Sequence, residues 1–125
     1  MISIAEFDKS LEKMINRNFT ISGYKSIDTE QRIQRRITDL LDSHKSCIIG
    51  KTSDPDSRVF RLSQDGYKSM FLIYKSQNIQ DVDHYSAFFL DKFTYKFNNK
   101  FFMRDDVLQK NGSIHYLFIA SKGSR

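Results

Sequence analysis

Residues 46–58 read SCIIGKTSDPDSR and carry the strongest structural signal in the chain. The two isoleucines favour a β-strand, and the glycine after them allows a turn or the close approach of another backbone. Asp54-Pro55 forces an extended or turn conformation, which ends the strand. Arg58 follows three residues after Pro55, where its guanidinium can bind a phosphate through two hydrogen bonds. The stretch therefore predicts a strand, a corner and an anion-binding arginine, and we expect Arg58 to lie near Lys51 or Thr52 and face a cleft that can hold an anion.

Apolar periodicity on both sides of this stretch predicts an α+β fold, with a small, mostly antiparallel sheet covered by helices. The predicted elements are helices at 3–16, 29–44 and 79–97 and strands at 46–52, 69–75 and 113–120. The expected helix caps are Ser3, Asp28 and Asn78. Asn111-Gly112 is typical of a tight turn and predicts a C-terminal β-hairpin.

Residues 57–66 fit two interpretations. They form a helix if Asp54-Pro55 is a helix start, because proline is favoured in the first turn. They form a strand if Asp65-Gly66 is a hairpin turn that leads into the next strand. The proline favours the helix.

Length and composition limit the class of protein. The chain has 125 residues and one cysteine, Cys47, which cannot form an internal disulfide and fits a reducing compartment. The length predicts a single domain, 1–125, in which a helical extension (1–45) precedes an α+β core (46–125). No apolar run approaches the roughly 20 residues that cross a bilayer. We therefore expect a soluble, cytoplasmic protein with no membrane partner.

The net charge of +5 favours nucleic acid as a partner. Most of this excess lies after residue 97, and the densest basic group is Arg32, Arg35 and Arg36 on the predicted helix 29–44. This trio has two interpretations, a solvated face of an amphipathic helix or a face that contacts phosphates.

The order of residues 46–58 resembles the second half of the signature of the GIY-YIG nucleases. That half consists of a strand ending in Tyr-Ile-Gly, a Lys/Arg-Thr step, an Asp-Pro helix start and a catalytic arginine. On this resemblance residues 48–50 take the Tyr-Ile-Gly position, with isoleucine in place of the tyrosine. Thr52 supplies the following hydroxyl and Arg58 the catalytic arginine.

The resemblance also implies a metal ion and a set of nucleic-acid contacts. Family members hold one divalent cation with a glutamate on a later helix, so Mg²⁺ or Mn²⁺ is the implied cofactor. The position of that glutamate is Ser86 here, and the nearest carboxylates are Asp83 and Asp91. Asp83 lies three residues away on the same helix face and is the expected metal ligand. Lys51, Arg58 and Arg61 are the expected nucleic-acid contacts.

The first half of the signature has two candidate positions beside the strand 46–52. One is Gly23-Tyr24, displaced upstream by the helix 29–44. The other is 113–116, which supplies the neighbouring strand from the C-terminus in a permuted arrangement. These candidates make Tyr24 and His115 possible catalytic residues of such a site.

The missing tyrosine and glutamate set the functional expectation. We expect a GIY-YIG-like nucleic-acid-processing protein with weakened or lost phosphodiesterase activity; if active, it is a metal-dependent endonuclease. The alternative is a non-catalytic α+β binding module that acts through protein–protein contacts.

Overall fold

The computed structural model describes residues 4–99 and 113–125 and has an α+β fold in which helices cover both faces of a mixed sheet. Its helices are α1 (Ile4–Met14), α2 (Ile27–Ser43), α3 (Pro55–Gln64) and α4 (Ile79–Lys92). Its strands are β1 (Ile15–Asn16), β2 (Ile21–Ser22), β3 (His44–Lys45), β4 (Ile48–Thr52), β5 (Ser69–Ser76), β6 (His115–Ser121) and β7 (Gly123–Ser124). The predicted fold class is confirmed.

Three long strands form the centre of the sheet in the order β5–β6–β4, and neighbours are antiparallel. β1 and β2 pair with β5 in the parallel direction and extend its outer edge, whereas β3 and β7 form a separate ribbon. The register between β5 and β6 shifts between Leu72 and Tyr74. Because an extra residue reverses the alternation of side chains, Leu72 packs on one face while Ile73 and Tyr74 both pack on the other.

Each face of the sheet has its own apolar core. α2 and α4 cover the face that contains Ile49, and α1 and α3 cover the face that contains Ile48. Residues 4–45 therefore supply one helix to each core and two strands to the sheet. The segment predicted as a helical extension thus packs on both faces of the sheet and adds strands to its edge.

α2 begins two residues earlier than predicted. Its N-cap is Ser26, whose Oγ accepts a hydrogen bond from the backbone N–H of Thr29 at 3.1 Å. Asp28 lies within the first turn, where its carboxylate interacts favourably with the positive end of the helix dipole. The expected cap at Asp28 is therefore wrong.

The segment 57–66 is helical over most of its length, and the hairpin interpretation is wrong. Asp54 caps α3 by accepting a hydrogen bond from the N–H of Ser57 at 3.2 Å, and Pro55 occupies the first turn, where no N–H donor is needed. Gly66 follows the last turn with φ +90°, a left-handed conformation that suits glycine at the end of a helix.

α4 starts as predicted, with Asn78 as its N-cap, but ends at Lys92 and not at Phe97. The hydroxyl of Thr94 lies 2.9 and 2.8 Å from two carbonyl oxygens of the final turn. Because the helix ends here, these carbonyls lack a backbone N–H partner within it. The hydroxyl of Thr94 therefore stabilises the C-terminus of the helix. Phe97 nevertheless packs into the core beneath α4.

The outer edge of β4 is closed by the segment that follows α4. The side chain of Asn99 donates to the Ile49 carbonyl at 2.7 Å and accepts from the Ile49 N–H at 2.9 Å. The N–H of Asn98 donates to the carbonyl of Cys47 at 2.8 Å. These bonds satisfy edge groups that could otherwise pair with another chain.

β6 matches the strand predicted at 113–120. The rest of the predicted C-terminal hairpin, including Asn111-Gly112, lies outside the described residues, as does the predicted cap Ser3. Within the described ranges, no helix has the length and apolar character needed to cross a membrane.

Candidate functional site

The strand beside β4 is β6, so the end of β4 meets the start of β6. Thr52 of β4 pairs with Tyr116 of β6. Of the two candidate neighbours of β4, the segment 113–116 is therefore the one that occupies this position. Tyr24 lies just beyond β2, which is at the opposite edge of the sheet, and its side chain is 92% exposed. The expectation that Tyr24 belongs to a site at β4 is wrong.

The remaining predicted site residues are divided between the two faces of the sheet. Lys51 and His115 lie on the side of α4, which carries Asp83. Thr52 and Arg58 lie on the side of α3. Consecutive residues of a strand point to opposite faces, so Lys51 and Thr52 cannot share one face of the sheet.

On the α3 side, Arg58 is a buried residue. It is 2% exposed, and its Cζ lies 5.5 Å from the ring centroid of Phe118. Thr52 is also buried, and its hydroxyl accepts a hydrogen bond from the N–H of Asp54 at 3.0 Å, which fixes the corner between β4 and α3. Arg61, about one turn further along α3, is exposed. A guanidinium packed on a core ring does not face an open cleft, so that expectation for Arg58 is not met.

On the α4 side, four polar residues form what we call the α4-side cluster: Lys51, Ser53, Asp83 and His115. The Nζ of Lys51 lies 2.6 Å from Oδ1 of Asp83. The Nδ1 of His115 lies 2.6 Å from Oγ of Ser53, and the imidazole is buried. Burial lowers the pKa of His115 below its usual value, and the charge of Asp83 opposes this shift in part. The imidazole is therefore neutral near pH 7.

Asp83 does not suit the expected role of metal ligand. Its carboxylate already pairs with Lys51, whose ammonium would repel a divalent cation at the same oxygen. Ser86, about one turn later, is buried and offers only a hydroxyl. Across residues 4–99 and 113–125, no three His, Cys, Asp or Glu side chains come together in a way that could hold a metal ion. The described residues therefore do not fit the implied Mg²⁺ or Mn²⁺.

The sequence-based prediction missed Ser53, although a signal for it exists. Ser53 lies two residues after Lys51, so strand alternation directs both side chains to the same face. That face also carries His115 once β6 is known to be the neighbour of β4. Without this pairing, the sequence alone does not connect Ser53 with a histidine 62 residues away.

Comparisons of the chain with known protein families, with curated proteins and with solved structures found no match. The fold and the site therefore define its class in structural terms. It is an α+β domain with a strand–corner–helix unit, β4 to α3, and a polar cluster on the far face of that strand.

The buried imidazole predicts a pH-dependent stability. The folded-state pKa of His115 lies below the unfolded value of about 6.5, so the unfolded chain binds more protons as the pH falls past that value. The contribution of His115 to stability is therefore complete above about pH 6.5 and is lost below it, with a slope of at most about 1.4 kcal/mol per pH unit. Denaturant titrations over a pH series measure this slope. His115→Gln should reduce this slope; an equal slope in the His115 variant would contradict the prediction.

Proposed function

We propose that this chain is a GIY-YIG-like nucleic-acid-binding protein in which metal-dependent phosphodiester cleavage is weak or lost. The observation that carries the proposal is the ion pair between Lys51 and Asp83, which lies on the opposite face of the sheet from Arg58. Cleavage in this family requires a metal-binding carboxylate and an arginine at the same phosphate. Here the carboxylate is held in an ion pair, on the other side of the sheet from the arginine.

The weakness of catalysis follows from how these two groups are arranged. A metal ion accelerates phosphodiester hydrolysis by activating water and neutralising charge at the same phosphate that the arginine contacts. Here the sheet separates Asp83 from Arg58, and Lys51 neutralises the carboxylate. Arg58 is also buried, so a phosphate cannot reach it in this conformation.

Binding of nucleic acid is supported by the charge of the chain. The net charge is +5, and exposed lysines and arginines outnumber exposed acidic residues across the described ranges. Contacts between such side chains and phosphates need no metal and no fixed catalytic geometry. Arg61, exposed on α3, is one of these side chains.

We expect labelled oligonucleotides to bind at low ionic strength and the affinity to fall at least about tenfold between roughly 50 and 200 mM salt. We expect slow or undetectable nicking of supercoiled plasmid with Mg²⁺ or Mn²⁺. Fluorescence anisotropy and plasmid gel assays measure the two quantities, and Asp83→Ala should leave any background nicking unchanged. Rapid metal-dependent nicking that is abolished by Asp83→Ala would disprove the loss of catalysis. Absence of binding at low salt would disprove the nucleic-acid role.

A further inference from the structure

Phe19 is an exposed aromatic residue in an unfavourable backbone conformation. Its side chain is 80% exposed, and its φ of +63° lies in the left-handed region that bulky residues rarely adopt. It belongs to the loop between β1 and β2, where the hydroxyl of Thr20 donates to the carbonyl of Leu72 at 2.8 Å and ties the loop to β5. An exposed ring gains little stability from packing, so packing does not explain the unfavourable backbone conformation. A strained residue of this kind points to a function.

A guanidinium lies between this ring and the core. The Cζ of Arg36 is 5.7 Å from the ring centroid of Phe19 and 5.8 Å from that of Phe71, which is buried. Arg32 lies one turn earlier on the same face of α2 and is exposed. The ion pairs found between described residues involve neither of these arginines. Arg36 therefore places a positive charge against the ring of Phe19, and Arg32 adds an exposed positive charge on the same face of α2.

A second exposed ring lies at the other end of β2. Tyr24 is 92% exposed, and hydrogen bonds fix its backbone: its carbonyl accepts from the hydroxyl of Thr29 at 3.0 Å, and the carbonyl of Gly23 accepts from the hydroxyl of Tyr74 at 2.7 Å. Tyr24 lines an open cavity of about 330 Å³ together with Lys75. Phe19 and Tyr24 are five residues apart, so their Cα atoms are separated by at most about 18 Å.

We propose that the edge of the sheet at β2 binds single-stranded nucleic acid, with bases stacked on Phe19 and Tyr24 and phosphates held by Arg32, Arg36 and Lys75. This inference rests on the proposed function and adds the form of nucleic acid and the surface that binds it. Stacking on an aromatic side chain requires an unpaired base, which favours a single strand over a duplex. The guanidinium over the ring of Phe19 favours a polyanion over an apolar peptide.

The absence of tryptophan from the chain allows a direct test of stacking. Phe19→Trp introduces a single tryptophan at the proposed contact, and Tyr95→Trp introduces one at a fully exposed aromatic position after α4. Both variants are titrated with an oligothymidylate and an oligouridylate of about 15 nucleotides. We expect either strand to quench the fluorescence at position 19 and neither to quench it at position 95, and the stronger response distinguishes DNA from RNA. Equal responses at the two positions would overturn the inference.

Affinity measurements provide the second test. Phe19→Ala and Tyr24→Ala should each weaken binding of the same oligonucleotides on the order of tenfold, whereas Tyr95→Ala should not. An excess of duplex DNA of equal length should compete poorly. Binding that is unchanged in the Phe19 and Tyr24 variants would overturn this inference and leave the proposed function intact. Absence of binding by the unmodified protein would overturn both.

Discussion

Replacing Phe89 with alanine should lower the free energy of unfolding by about 3–5 kcal/mol. The ring is fully buried beneath α4. Its centroid lies 5.0 Å from that of Phe88, 5.9 Å from that of Tyr85 and 6.4 Å from that of Phe93. Removing a side chain at the centre of such an aromatic group leaves a cavity that its rigid neighbours cannot fill. A reversible denaturant titration measures the loss.

Phe19→Ala is the matched control, because the same side chain is removed from a position that is 80% exposed. Its cost should be below about 1 kcal/mol. A loss of similar size in both variants would mean that the measured effect does not report burial. A loss below about 1 kcal/mol for Phe89→Ala would show that this ring is not part of the core.

The position of Phe89 could be predicted because the signal for it is local. Val82, Tyr85 and Phe89 recur at helical spacing, so their burial follows from the sequence of one element. The start of α3 is equally local, since Asp54 and Pro55 specify the cap and the first turn by themselves. Signals of this kind fix the type of an element and the face that it buries.

The order of the strands could not be predicted in the same way, because pairing joins residues that are distant in the chain. β4 pairs with β6 across more than 60 residues, and β1 and β2 join the far edge of β5. The sequence does not distinguish 23–24 from 113–116 as the neighbour of β4, since both segments are compatible with a strand. This ambiguity led to the incorrect placement of Tyr24.

The candidate site was predicted only in part, for the same reason. Strand alternation already requires Lys51 and Thr52 to face opposite sides of the sheet, so the sequence contained evidence against one site built from both. The pairing of Lys51 with Asp83 depends on how α4 crosses β4, which is a property of tertiary packing. The separation of Asp83 from Arg58 by the sheet also depends on tertiary packing.

Arg58→Ala should lower the free energy of unfolding by about 2–4 kcal/mol, because Arg58 acts as a core residue in this structure. Its side chain is 2% exposed, and its guanidinium lies over the ring of Phe118, a contact that gains strength away from water. Alanine removes both the packing of the aliphatic stem and the contact with the ring. Arg58→Lys keeps the charge but loses the planar guanidinium, so it should restore only part of the stability.

Arg61→Ala is the control on the same helix, because Arg61 is an exposed arginine three residues away. Its cost should be below about 0.5 kcal/mol, while its effect on oligonucleotide binding at low salt should exceed that of Arg58→Lys. Denaturant titrations and anisotropy on the three variants separate the two roles. If Arg58→Ala is as stable as the unmodified protein and loses oligonucleotide affinity, Arg58 reaches solvent and contacts phosphate. That result would contradict a core role and restore the expectation, drawn from residues 46–58, of an anion-binding arginine.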